Sequence, residues 1–98
     1  MSVIETIEFS TLPGTEIEAL QAALTALDAE LRGIGGFRSR DLFRVDGAEH
    51  AWLLDYRWDS LEEAQTSMAK VAGTPVFGAL MALVDSPETM RMVYGTPA

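Results

Sequence analysis

The chain contains no cysteine. That excludes a disulfide scaffold, thiolate catalysis and any cysteine-ligated metal or iron–sulfur cluster. Histidine is nearly absent too, His50 being the single one, so a histidine-rich metal centre cannot be assembled and no metal is expected. No apolar run approaches the roughly 20 residues that a membrane span needs. The start, Met1-Ser2-Val3-Ile4-Glu5, lacks the basic residues and apolar stretch of a secretory signal. The expectation is a cytoplasmic protein with no membrane partner. Basic residues are few, 7 against 15 acidic, for a formal charge of −8. Such a field repels phosphate backbones, and nucleic acid is not an expected partner. Nucleophile elbows, phosphate loops and dinucleotide fingerprints are also missing, which leaves the common hydrolase, nucleotide-binding and dehydrogenase classes without their motifs.

What remains is an ordinary folding composition: 98 residues, 48% hydrophobic and 22% charged, enough for a single domain over residues 1–98 with a modest core. Val3 to Ser10 alternates as a strand does, with Val3, Ile7 and Phe9 on one face and Glu5 among them. Pro13-Gly14 breaks the pattern. Thr15 and Glu18 have capping-box spacing, and Ile17, Leu20, Leu24, Leu27 and Leu31 recur at helical spacing up to Gly33. A second strand is expected over Phe37 to Val45 and a third from about Glu49 to Trp58, joined by an Asp46-Gly47 hairpin turn. Asp59-Ser60 with Glu63 starts a second helix, striped by Leu61, Ala64, Met68 and Val71 and stopped by Gly73. Thr74-Pro75 restarts it, with Phe77, Leu80, Met81 and Val84 as the buried stripe. Thr89 to Tyr94 reads as a last strand.

Strand, helix, strand, strand, split helix, strand is the ferredoxin-like α+β order. Right-handed crossovers place both helical layers on one face of a four-stranded antiparallel sheet. The other face is left bare, and a two-fold homodimer is the simplest way to cover it.

An even-numbered hairpin loop would pair odd positions of the second strand with even positions of the third. One face then holds Phe37, Ser39, Asp41 and Phe43 beside His50, Trp52, Leu54, Tyr56 and Trp58, together with Glu5 and Phe9. The other collects Arg38, Arg40, Arg44 and Arg57 against Glu8, Glu49 and Asp55, a natural set of cross-strand ion pairs. The aromatic face belongs under the helices, where its polar tips mark either a core with amphipathic rings or a ligand pocket. Phe9, Ser39, Asp41, Phe43, Trp52 and Tyr56 are the expected pocket residues on the second reading. Trp58 would orient an aromatic ring, while His50, as the side chain that titrates near neutrality, and Glu5, as a carboxyl on an apolar face, are the candidate bases.

The stretch Gly36-Phe37-Arg38-Ser39-Arg40-Asp41-Leu42, then Asp46-Gly47 and Leu53-Leu54-Asp55-Tyr56-Arg57-Trp58-Asp59-Ser60, resembles the dimeric α+β barrel superfamily, and most of all its antibiotic biosynthesis monooxygenase-like branch. Pro75-Val76-Phe77 and Met81-Ala82-Leu83-Val84-Asp85 also look like the helix and turn before the last strand of such proteins. The resemblance implies a homodimer with a pocket between sheet and helices. It also implies a monooxygenase that needs no bound cofactor and acts on a small aromatic or quinol-like compound, with Trp58 matching the pocket tryptophan. The asparagine that the monooxygenases carry four positions before that tryptophan is Leu54 here. The ligand histidine of the haem-degrading members would fall near Met68. From the residues themselves, a non-catalytic small-molecule binding module or an accessory dimer remains open beside the enzyme.

Overall fold

A computed structural model describes residues 2–98. The elements follow in the order β1 (Val3–Thr11), α1 (Ile17–Ile34), β2 (Phe37–Arg44), β3 (Ala51–Trp58), α2 (Leu61–Val71), α3 (Pro75–Met81), β4 (Val84–Asp85) and β5 (Arg91–Gly95). The sheet is antiparallel and ordered β2-β3-β1-β4, with β5 also paired to β1. This is the ferredoxin-like topology, with the helices layered on one face. The expected last strand, Thr89 to Tyr94, corresponds to β5, and a short strand that was not expected, β4, precedes it. β4 pairs with Ser10–Thr11 and β5 with Ile4–Glu8, so both occupy one edge of the sheet. Between them Ser86 adopts a left-handed conformation (φ 51°) and Pro87–Thr89 makes one 3-10 turn. Val84 therefore belongs to the sheet, not to the helical stripe in which its spacing placed it.

The core forms where the two periodicities meet. Leu20, Leu24, Leu27 and Leu31 of α1, Ala64 and Val71 of α2 and Leu80 of α3 pack on Val3, Ile7, Phe9, Trp52, Leu54, Tyr56 and Trp58 of the sheet. A fully buried side chain of this kind contributes about 1.5–3 kcal/mol, so the α1 stripe alone is a major source of stability. Helix starts follow local chemistry in two cases of three. Ser60 accepts a bond from the Glu63 amide (3.1 Å) and Thr74 from the Phe77 amide (3.3 Å). Thr15 does not cap α1. Its amide closes a turn on the Leu12 carbonyl and Glu16 becomes the N-cap, without a side-chain bond. The helix also passes Gly33 and ends at Gly35, whose φ of 125° a residue with a Cβ would resist.

The β2–β3 hairpin departs from the expected register, and this changes which residues share a face. Val45 bonds Ala51 across the loop, leaving residues 46–50 as an odd-numbered connection in which Gly47 (φ 80°) makes the turn. Odd positions of β2 then pair with odd positions of β3: Asp41 with Asp55, Phe43 with Leu53. Near Phe37 the register shifts by one residue at a β-bulge, so Phe37 still pairs with Trp58 on the helical side. Between bulge and loop every β2 side chain lies opposite to expectation. Arg40, Leu42 and Arg44 face the helices; Ser39, Asp41 and Phe43 face the open side.

Candidate functional site

A cavity of about 230 Å³ lies between the sheet and the helices. Its floor comes from Ile7 and Phe9 of β1, Leu54 and Tyr56 of β3, and Met92 of β5. Leu27, Met68, Ala72, Phe77, Leu80 and Met81 of the helical layer close it from above, and Val84 and Met90 flank it at the divided edge. Every methionine after Met1 takes part. Unbranched thioether side chains adapt to the shape of a guest and make favourable contacts with aromatic rings. The lining is apolar throughout except for Tyr56.

Beside this cavity the helical face of the sheet carries a buried polar row. Register places Arg40 opposite Tyr56, Tyr56 opposite Glu5, and Glu5 opposite Tyr94. Period-two alternation directs all four to the same side. Glu5 is 0% exposed, and its Oε1 accepts a bond from the Trp58 indole nitrogen at 3.1 Å. Its Oε2 has no bonding partner, and neither has the Tyr56 hydroxyl. Burial raises the Glu5 pKa above the ordinary carboxylate value, while the donor groups of Tyr94 and Trp58 act against the rise. Burial likewise raises the Tyr56 phenol; the Asp28 and Glu5 charges push the same way, and Arg40 opposes them. Tyr94 is pushed up to about 12, chiefly by burial and then by Glu5. At the far end Arg40 forms a two-pronged pair with Asp28 of α1, Nη2 to Oδ2 at 2.7 Å and Nε to Oδ1 at 3.3 Å. Their side chains are only 13% and 9% exposed.

The residues expected to form a site are thus divided. Glu5, Tyr56 and Trp58 are brought together, with the Tyr56 and Trp58 rings stacked at 6.1 Å. Phe9 and Tyr56 line the cavity. Trp52 is buried outside it, donating from Nε1 to the Thr11 hydroxyl and covered by the Arg44 guanidinium at 4.4 Å. Ser39, Asp41 and Phe43 lie on the opposite face of the sheet, turned away by the odd hairpin loop. His50 sits in that loop with its side chain 46% exposed, and is not among the cavity residues. Two members of the polar row were not expected there: Asp28 had no assigned place, and Arg40 was expected among the ion pairs of the open face. Asp28 carried a signal: it stands four residues after Leu24 and three before Leu31, inside the buried stripe. Arg40 carried none, because the odd-numbered hairpin loop that turns it inward is not fixed by its neighbours in sequence. Among the described residues no group of three histidine, aspartate or glutamate side chains could hold a metal ion.

Fold and site together define a ferredoxin-like α+β protein whose helices cover an apolar cavity edged by buried ionisable groups. Solved structures share this fold. The cofactor-independent oxygenase SnoaB from Streptomyces nogalater superimposes with a TM-score of 0.77 at 16% identity, covering 99% of this chain and 93% of that one. A proposed antibiotic biosynthesis monooxygenase from Bordetella bronchiseptica gives a TM-score of 0.82 at 13% identity over 99% and 97%. Another, from Nitrosomonas europaea, gives 0.70 at 12% over 97% and 89%. No protein-family model and no curated protein matches the sequence. The likeness is one of fold, the ferredoxin-like α+β fold that these structures share.

Proposed function

We propose that residues 1–98 form one domain that pairs through its open sheet face into a homodimer, and that each cavity binds and oxygenates a small aromatic or quinol-like compound without a bound cofactor. The observation that carries this reading is the apolar cavity set beside a buried tryptophan–carboxyl pair. An electron-rich ring enclosed by Phe9, Phe77 and the methionines is shielded from water. Trp58 is held by Glu5 at the row next to Tyr56, the one polar member of the cavity wall, and the buried Glu5 carboxyl is the group of this cluster able to hold a substrate proton. The structural neighbours support the same chemistry, since one is a cofactor-independent oxygenase. His50, exposed in its loop, has no part in this mechanism. The compartment proposed is the cytoplasm.

For the dimer, the open face offers Phe43 at 52% and Val93 at 49% exposure, with the Arg57–Asp55 pair (3.2 Å) between them in the strand order. Apolar side chains exposed on a sheet face favour a partner, and paired charges set the orientation of the two sheets.

Oxygen uptake with a panel of hydroquinones tests the reaction. Turnover that falls at least tenfold in Trp58→Phe and Glu5→Gln, an effect of the size typical for a group acting on a proton in the transition state, supports it. Turnover equal to wild type in both variants removes the site. A second reading, binding without turnover, is favoured by one observation: Leu54, where the resembling monooxygenases carry an asparagine, is a buried apolar part of the cavity wall. Saturable binding of the same compounds with no oxygen consumed would establish it.

A further inference from the structure

The polar row has two different ends. At β2, Arg40 is locked to Asp28 by three hydrogen bonds to one carboxylate. At the other side Tyr94 lies half-buried on β5, an edge strand that pairs only with β1. Glu5 stands between, fully enclosed, with one oxygen taken by the Trp58 indole and the other unpartnered. An isolated carboxylate in this position would be costly. A neutral carboxyl fits better, because Oε1 can accept from the indole while a proton on Oε2 needs only a hydroxyl oxygen as acceptor. Two hydroxyls flank it in register, Tyr56 and Tyr94, and Tyr94 alone borders the sheet edge.

We propose that Tyr94 is a positioning residue through which Glu5 exchanges its proton with solvent, making the row Arg40–Tyr56–Glu5–Tyr94 a proton store beside the cavity. No bond to oxygen or carbon is made or broken in this step. A proton moves from the Glu5 carboxyl by way of the Tyr94 hydroxyl to water, and returns by the same route. The groups facing Glu5 are Tyr56 and Trp58 from β3 and Tyr94 from β5. Beyond Tyr56 lie Arg40 of β2 and Asp28 of α1, a mutually neutralising pair. No ionisable residue occurs in α3, and α2 keeps Glu62 and Lys70 exposed and Glu63 at its own first turn with Ser60. On α1 Glu18 and Glu30 are exposed, and Arg32 lies over the Phe37 ring at 5.1 Å, so Asp28 and Arg32 are the helical charges nearest the row. The raised Glu5 pKa agrees with a carboxyl that stays loaded. The use of this store in turnover rests on the oxygenase reading above; its existence does not.

The Trp58 indole N–H is bonded to Glu5, so its resonance reports the charge on that carboxyl directly. In ¹⁵N-labelled Trp52→Phe protein Trp58 is the one remaining indole. Its signal should titrate as a single proton, with a midpoint above the ordinary carboxylate range. Adding Glu5→Gln should abolish the titration. Adding Tyr94→Phe, a conservative change at a half-buried edge, should move the midpoint upward by about 0.7 pH unit, because the hydroxyl that accepts from the neutral carboxyl turns to donate to the ionised one and the bond to the charged form is the stronger by about 1 kcal/mol. Tyr94→Phe with an unchanged midpoint overturns the proposal, even if Glu5→Gln fails to fold. A Trp58 signal that does not titrate at all overturns it as well. The measurement is made with the cavity empty, so absence of oxygen uptake or of ligand binding leaves it standing, and its own failure leaves those readings standing.

Discussion

Replacing Glu5 by glutamine should make the protein less sensitive to rising pH, and the size of the effect follows from where the side chain sits. Glu5 is fully enclosed and its pKa in the folded state is raised by burial. Below the ordinary carboxylate range both folded and unfolded chains hold the proton, and Glu5 contributes nothing to the pH dependence. Once pH exceeds the unfolded value, the unfolded chain ionises while the folded one stays protonated. The unfolded state then binds fewer protons, and stability falls as pH rises until the folded pKa is passed. Each pH unit inside that window costs about 1.4 kcal/mol. With a urea m-value of about 1–3 kcal/mol/M for a small protein, the unfolding midpoint drops by about 0.5–1.4 M per unit on account of this one group.

Glutamine keeps the volume and the acceptor for Trp58 but carries no titrating proton. The assay is urea unfolding followed by tryptophan fluorescence at several pH values from about 4 upward, for wild type and Glu5→Gln in parallel. Taking the difference cancels the other carboxylates, among them Asp55 beside Arg57. The two curves should draw together as pH rises above the unfolded value, with the variant gaining on wild type. A difference that stays constant with pH would refute the claim that Glu5 is buried and protonated in the folded state.

Other parts of the structure lead to further outcomes. Asp28→Ala leaves the Arg40 guanidinium without its partner under α1 and should cost about 2–3 kcal/mol, less than for a wholly enclosed pair because some solvent reaches it. The double change Asp28→Leu/Arg40→Met should recover most of that loss in denaturant titration. Gly36→Ala should destabilise by about 2–4 kcal/mol in thermal unfolding, since φ is +84° and the new Cβ would lie 2.5 Å from the Glu63 Cβ. Met68→Trp should narrow the cavity and weaken binding of 1-naphthol in fluorescence titration, while costing no more than about 1–3 kcal/mol of stability. Phe43→Glu, on the open face, should shift the protein from dimer to monomer in analytical ultracentrifugation, with its circular dichroism unchanged.

Local signals carried the element order a long way. The Leu20–Leu31 stripe, the alternation of β1, the Ser60 cap and the proline start of α3 are each properties of a few neighbouring residues, and each appears where those residues placed it. From the order alone came the ferredoxin-like topology, because right-handed crossovers leave few ways to connect it. Glu5 on the inner face of β1 was equally legible, since the strand period is short and no bulge interrupts it. The site was legible only in part. Whether the space under the helices was a filled core or a cavity could not be read from the composition of the face. It depends on how far the helical layer stands off the sheet, which methionines and the divided edge at residues 84–90 set jointly.

The hairpin shows where the sequence stops. Asp46-Gly47 announces a turn, but the number of residues the loop uses is fixed by how β3 meets β1, where Thr11 bonds His50. One residue more in the loop inverts every side chain from Ser39 to Arg44. Inversion moved Asp41 and Phe43 out of the expected pocket and brought Arg40 into contact with Asp28. The amino-acid sequence by itself determined the elements, their order and the buried carboxyl of β1, because those depend on local periodicity and capping. Tertiary structure alone decided the register of β2, the row from Arg40 to Tyr94 and the cavity beside it, because each depends on strands distant in sequence meeting at one level of the sheet.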